Sequence, residues 1–234
     1  MDSTTTKPLA IISGGAGYIG AAIAEALSSS GWRVVSLSRS EHADAYVCDV
    51  TDEKAVRTAI ADITAKYGQI SACIHAASPA LERTPILSIS TKSFDSAMDT
   101  GARAAFLLAK EVAGHLIKGA AFIGITTQAI EPGIPQVSGA YTPSKYALRG
   151  FLRVLSAETT QAGVRVYAVA PGFLPGGLNS DLPPQVAEFI ARKSGTDTDS
   201  QKALAALVVK LCTDGETFPP GSSIAFPSLE LSPL

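Results

Sequence analysis

Short apolar runs and helical stretches take turns along this chain, and that alternation restricts its folding more than any other feature. Leu9–Ser13 reads Leu-Ala-Ile-Ile-Ser, and comparable runs recur at 33–37, 45–48, 70–76, 120–125, 164–169 and 223–226. Most are apolar at successive positions instead of alternating with polar ones, the pattern of strands covered on both faces. Between them, 18–30 sets Ile19, Ile23 and Leu27 on one helix face and stops at Gly31. Capping chemistry in Asp49-Val-Thr-Asp52 opens a helix that runs to 67 and is stopped by Gly68. Further helices are read at 91–116, 140–161, 184–192 and 200–212. Strands that alternate with helices predict an α/β fold: a Rossmann-type, doubly wound parallel sheet of about seven strands in three α/β/α layers.

Composition narrows the class. Of the 234 residues 46% are hydrophobic and 17% charged, enough apolar surface for a packed core. No repeat and no linker interrupts the pattern, so one domain is expected over 8–234, after a disordered polar tail at 1–7. Lys plus Arg number 19 against 21 acidic residues, and no basic block occurs, which argues against a nucleic-acid partner. The uncharged run 9–24 is too short and glycine-rich for a membrane span. The N-terminus lacks the pattern of a signal peptide, so a cytoplasmic protein is expected. Cys48, Cys73 and Cys212 are too scattered for a disulfide framework or a zinc site and read as buried reduced thiols.

The first strand runs directly into Ser13-Gly-Gly-Ala-Gly-Tyr-Ile-Gly20, where Gly14, Gly17 and Gly20 are spaced three apart. Glycines between a strand and a helix let the chain turn sharply and let a pyrophosphate approach the amides at the helix N-terminus. At the opening of the first βαβ unit this predicts a dinucleotide site. Ser13, Gly14, Gly17, Tyr18, Ile19 and Gly20 are its candidates. The second strand ends in Ser38-Arg39 with no carboxylate before Glu41. An Arg there accommodates a 2′-phosphate whereas an acid binds the free ribose, so NADP(H) is expected over NAD(H). The other reading of Arg39 is a solvated loop charge. Asp49, followed by Val50, either accepts from an adenine amino group or caps the next helix.

Tyr141-Thr-Pro-Ser-Lys145 opens the helix after the fifth strand, with Tyr141 and Lys145 four apart on one face. A phenol ionises near ~10 and exchanges protons poorly at neutral pH. A neighbouring cation favours its phenolate and equips the pair for acid–base work at a carbonyl or alcohol. The carboxyl end of a strand is also where open α/β sheets bind ligands.

With these features the chain resembles the short-chain dehydrogenase/reductase family, as a divergent member. The likeness rests on the glycine turn at 14–20, Asp49 in Cys-Asp-Val-Thr-Asp, the Tyr141/Lys145 pair and Ala170-Pro171-Gly172. It implies that Tyr141 is the catalytic acid/base, that Lys145 lowers its pKa and binds the nicotinamide ribose, and that Thr127, or its neighbour Thr126, holds the substrate oxygen. It also implies that Ala76, Ala77, Pro171, Gly172 and Phe173 border the cofactor. A small carbonyl or alcohol substrate and a homodimer or homotetramer packed on the two long helices follow from the same resemblance. The 170–200 segment would close the pocket, with Leu174, Leu178, Leu182 and Phe189 suggesting an apolar acceptor.

Several positions depart from the family. His75-Ala-Ala-Ser78 replaces its usual Asn-Asn-Ala-Gly, leaving His75 either a cofactor contact or a structural residue. Gly101 stands where the Asn of the proton relay belongs, and Phe173-Leu-Pro-Gly-Gly-Leu178 lacks the usual Thr. The expected activity is NADPH-dependent carbonyl reduction or its reverse. The alternative is a non-redox protein on the same fold: a dinucleotide-binding regulator, or a dehydratase, isomerase or cyclase.

Overall fold

The computed structural model describes residues 7–41, 45–130 and 138–234. The tail read as disordered lies outside them apart from Lys7, which is exposed. Strands β1 (Leu9–Ser13), β2 (Arg33–Ser38), β3 (Ala45–Val47), β4 (Ile70–His75), β5 (Leu116–Ile125), β6 (Arg165–Pro171), β7 (Ser222–Phe226) and β8 (Leu231–Pro233) form one sheet. Their order is β3-β2-β1-β4-β5-β6-β7-β8, parallel throughout except for the antiparallel β7–β8 pair. The helices are α1 (Tyr18–Ser29), α2 (Glu53–Tyr67), α3 (Thr91–Met98), α4 (Ala104–Val112), α5 (Tyr141–Thr159), α6 (Pro184–Lys193) and α7 (Ser200–Thr213).

β1 shows why the runs are apolar throughout. Successive strand side chains point to opposite faces, so Leu9 and Ile11 enter one core with Ile60, Leu108, Leu148 and Leu152. Ala10 and Ile12 enter the other with Ile23, Leu27, Leu204 and Leu211. All five residues of β1 are buried, as a sheet covered by α1 and α7 on one side and α2, α4 and α5 on the other requires. Cys48, Cys73 and Cys212 are buried thiols, and desolvation pushes Cys73 and Cys212 up to about 12.

Three features differ from the sequence reading. β8 is an eighth strand on the β7 edge, hidden from pattern reading by its length of three residues and its proline. β5 begins at Leu116, four residues early, because its ladder with β4 shifts register between Ile70 and Ala72, where exposed Lys118 and Gly119 (φ 83°) break the apolar run. The helix expected over 91–116 is interrupted: α3 passes into a π-turn, Asp99–Arg103, before α4 resumes. π-turns are rare and recur beside functional sites.

The strand order reverses at β1, whose neighbours are β2 on one side and β4 on the other. The carboxyl ends of strands diverge there and leave a crevice.

Candidate active site

A cleft of about 1760 Å³ opens at that crevice, bounded by the β1–α1 turn, the ends of β2 to β6, the start of α5 and the segment after β6. Glycine is required where the β1–α1 turn meets its neighbours. Gly14 has φ 74°, and a Cβ on it would lie 2.6 Å from the Ala77 backbone; on Gly20 a Cβ would lie 2.1 Å from the Gly14 carbonyl. The turn is therefore packed backbone to backbone, and its helix begins at Tyr18 with Gly17 as N-cap and no acid in the first turn. The first amides of a helix have no partner within it and attract anions. These residues suit the pyrophosphate of a dinucleotide.

Of the expected cofactor contacts, Gly14, Gly17, Tyr18, Ile19, Gly20, Ser38, Arg39, Asp49, Val50, Ala76, Ala77, Pro171, Gly172 and Phe173 all line the cleft. Ser13 does not: it is fully buried and its hydroxyl bonds His75. Asp49 is not the helix cap. Asp52 is, accepting from the amides of Lys54 and Ala55. Asp49 accepts instead from the amide and hydroxyl of Thr51 at 2.9 and 2.8 Å, bonds that hold its carboxyl below the usual range.

Tyr141 is the first residue of α5, and Lys145 lies one turn on, its Nζ 5.7 Å from the phenol ring centroid. Both line the cleft with Thr126 and Thr127. Thr126 donates to the Val169 carbonyl at 3.1 Å, and Thr127 accepts from the Ala129 amide at 3.2 Å and lies 3.5 Å from the Pro171 carbonyl, within reach of the Tyr141 phenol. Burial pushes Tyr141 above its ordinary 10, and the Thr127 hydroxyl draws it partly back. Lys145 is 1% exposed and donates to the Ile125 carbonyl at 2.8 Å. Desolvation lowers it to about 7. The lowered phenol pKa expected of Lys145 is not seen here: burial raises the phenol and lowers the amine.

The segment after β6 lies over the glycine turn. Tyr18 donates from its phenol to the Pro175 carbonyl at 2.6 Å, and a Cβ on Gly176 or Gly177, both at positive φ, would lie 3.1 or 2.9 Å from the Tyr18 side chain. Leu174, Leu178 and Leu182 face the cleft as expected. Phe189 does not; it is 69% exposed, and Ile190, a 100° turn further along α6, takes the place inside.

Two contributors went unread in the sequence. Gln128 donates from its amide to the Phe226 carbonyl at 2.9 Å, tying the end of β5 to β7 beside Gly172. Arg83 reaches across the cleft mouth to Asn179 (3.0 Å) and Asp181 (3.3 Å). Both bridge segments some 100 residues apart, which no local pattern encodes.

Residues 14–226 match the sequence profile of a family described as enoyl-(acyl carrier protein) reductase. The chain is 33% identical over 202 residues to the short-chain dehydrogenase/reductase SDRA of Arabidopsis thaliana, covering 81% of this chain and 76% of that one. It is 27% identical over 240 residues to the A-factor type gamma-butyrolactone 1′-reductase of Streptomyces virginiae, covering 94% and 93%. Its fold superposes on a dehydrogenase/reductase from Sinorhizobium meliloti 1021 with a TM-score of 0.83 at 24% identity, over 93% and 92% of the two chains.

Proposed function

Because the chain belongs to the short-chain dehydrogenase/reductase family, a family of oxidoreductases that use nicotinamide dinucleotides, we propose that it is an NADPH-dependent carbonyl reductase working through Tyr141. The observation that carries this reading is the meeting of Thr127, Tyr141 and Lys145 in the cleft that the glycine turn opens.

The β1–α1 turn would hold the pyrophosphate. Arg39, beside Ser38 at the end of β2, would pair with the 2′-phosphate. A nicotinamide held there would provide hydride chemistry at the carbonyl carbon. Tyr141 gives its phenolic proton to the carbonyl oxygen, and Thr127 donates a hydrogen bond to that same oxygen. The phenolate left behind is a buried charge, so a cation must accompany it. Lys145 is the cation in place, and the developing phenolate draws it toward its protonated form. Residues 170–200 close over the substrate within a domain spanning 8–234. Leu174, Leu178, Leu182 and Ile190 favour an apolar acceptor. Among the described residues no helix is long and apolar enough to cross a membrane, and the substrate is taken to be a small molecule.

Exposed apolar residues support a homo-oligomer. Tyr146, Gly150 and Val154 follow at four-residue spacing on the outer face of α5, and Phe106 is exposed on α4. A second reading, a dinucleotide-binding member that does no redox chemistry, is favoured by Gly101, which offers no side chain to a proton relay.

NADPH consumption against a panel of apolar ketones and 3-oxoacyl thioesters tests the proposal. Tyr141→Phe should lower turnover by roughly 10²–10⁴-fold while NADPH affinity holds. Near-normal turnover in that variant removes Tyr141 from the mechanism, and binding without consumption favours the second reading.

A further inference from the structure

His75 takes no part in the chemistry proposed above, yet it is fully buried at the end of β4, next in the chain to the cleft-lining Ala76. Its two ring nitrogens join three separate segments. Nε2 lies 3.0 Å from the Gly101 carbonyl in the π-turn, and Nδ1 lies 2.8 Å from the Ser13 hydroxyl at the end of β1. A carbonyl can only accept, so Nε2 carries the proton and Nδ1 accepts from Ser13. Desolvation and the nearby Lys145 charge lower His75 to about 3, which keeps the ring neutral and this tautomer fixed.

The Gly101 end of this link leads to Lys145. Gly101 packs so closely on α5 that a Cβ there would lie 2.9 Å from the Ser144 Cβ and 3.2 Å from the Ser144 carbonyl. No other residue fits without moving α5, and Ser144 is next to Lys145 in the chain. Ser144 turns its own hydroxyl to the Tyr141 carbonyl at 2.7 Å. The contacts therefore run from His75 through the Gly101 backbone to the turn of α5 that carries Lys145.

We infer that His75 is a positioning residue for Lys145: by donating to the Gly101 carbonyl it clamps the π-turn against α5 and keeps water away from the ammonium. The ionisable groups that face Lys145 are Tyr141 on its own helix and His75 on β4. Asp99 and Arg103 of the π-turn pair with each other at the surface, 3.9 Å apart, and Cys73 on β4 stays a neutral thiol. Without the clamp the buried Gly101 carbonyl loses its side-chain donor from β4, a loss relieved by admitting water or letting the π-turn back away. Either change hydrates Lys145 and loosens its hold beside Tyr141.

Two substitutions separate this role from mere support of the sheet. Glutamine carries its amide nitrogen where histidine carries Nε2, so His75→Gln keeps the donor to Gly101 and gives up the acceptor for Ser13. Asparagine places its polar atoms where histidine carries Nδ1, so His75→Asn keeps the Ser13 bond and gives up the Gly101 bond. In the full-length protein with NADPH and its best carbonyl substrate, His75→Asn should lose on the order of 10–100-fold in kcat with little change in the NADPH KM. His75→Gln should recover activity to within about threefold, since it restores the donor. The second readout is the titration of Lys145 in the free protein, followed by NMR of 13Cε-labelled lysine and assigned by loss of the signal in Lys145→Met. Its midpoint should lie near 7 in the wild type and in His75→Gln, and should rise toward the ordinary lysine value of about 10.4 in His75→Asn.

The inference rests on the reductase reading for its kinetic arm only. The NMR arm needs no substrate, so failure of the one is distinguishable from failure of the other. An unshifted Lys145 titration in His75→Asn overturns the inference, even if that variant is less stable. Equal loss of kcat in both variants overturns it as well.

Discussion

The acid limb of stability should report the buried neutral His75 directly. An unfolded chain protonates this imidazole near pH 6.5, whereas the folded protein resists until about 3. Between those values the unfolded state binds more protons, so stability is lost as pH falls below 6.5 and none of the loss appears above it. Each pH unit in that window costs about 1.4 kcal/mol, or about 2.7 kcal/mol between pH 6.5 and 4.5. For a domain of this size that corresponds to a fall in Tm of roughly 5–11 °C. Carboxylates contribute to acid lability too, so the informative quantity is the difference between two curves. His75→Gln cannot titrate, and its Tm measured by circular dichroism from pH 7 to 4.5 should fall less than the wild type's by about that amount. Parallel curves for the two proteins would refute the argument, since they would mean that the folded state accommodates a protonated His75 as readily as water does.

Three other substitutions probe the rest of the site. Arg39→Asp should weaken NADPH by roughly 10–150-fold, the loss of one charge-assisted contact, and leave NADH little changed in a fluorescence titration; equal losses for both dinucleotides would show Arg39 to be a solvated charge. Gly20→Ala forces a methyl to within 2.1 Å of the Gly14 carbonyl, an overpacking of about 1–3 kcal/mol, so dinucleotide binding should weaken; unchanged affinity would show that the turn relaxes freely. Gly150→Arg puts a charged side chain between exposed Tyr146 and Val154 and should give monomers in sedimentation, whereas an unchanged oligomer places the contact elsewhere.

The sheet was legible because it obeys a simple rule: Leu9 to Ile12 are apolar at four successive positions because each face of β1 meets a core. What departed from the pattern did so for reasons beyond local sequence. β8 is held by its ladder to β7, not by any apolar run of its own. The π-turn depends on Gly101 fitting against Ser144, a contact 43 positions away along the chain. In the site, the turn glycines and the Tyr141/Lys145 pair could be read because fixed spacing places them on one helix end or one helix face. Thr127 could not be told from Thr126 by spacing. In the structure both line the cleft, and both hydroxyls lie against carbonyls of β6. Ser13 stands next to the cleft-lining residues in sequence, yet its hydroxyl turns to His75, whereas Asp49 lines the cleft while accepting from Thr51. Electrostatics were the least legible feature. A tyrosine and a lysine four apart suggest mutual activation, whereas depth of burial, which spacing does not report, raises one and lowers the other.

The most direct measurement is a fluorescence titration of the purified full-length protein with NADPH and, in parallel, NADH. The account predicts saturable NADPH binding, tighter than NADH by at least about tenfold for the 2′-phosphate contact, and unaltered in Tyr141→Phe. No binding of either dinucleotide at millimolar concentration would contradict it, because the glycine turn, Arg39 and the Tyr141 pair would then have no cofactor to serve.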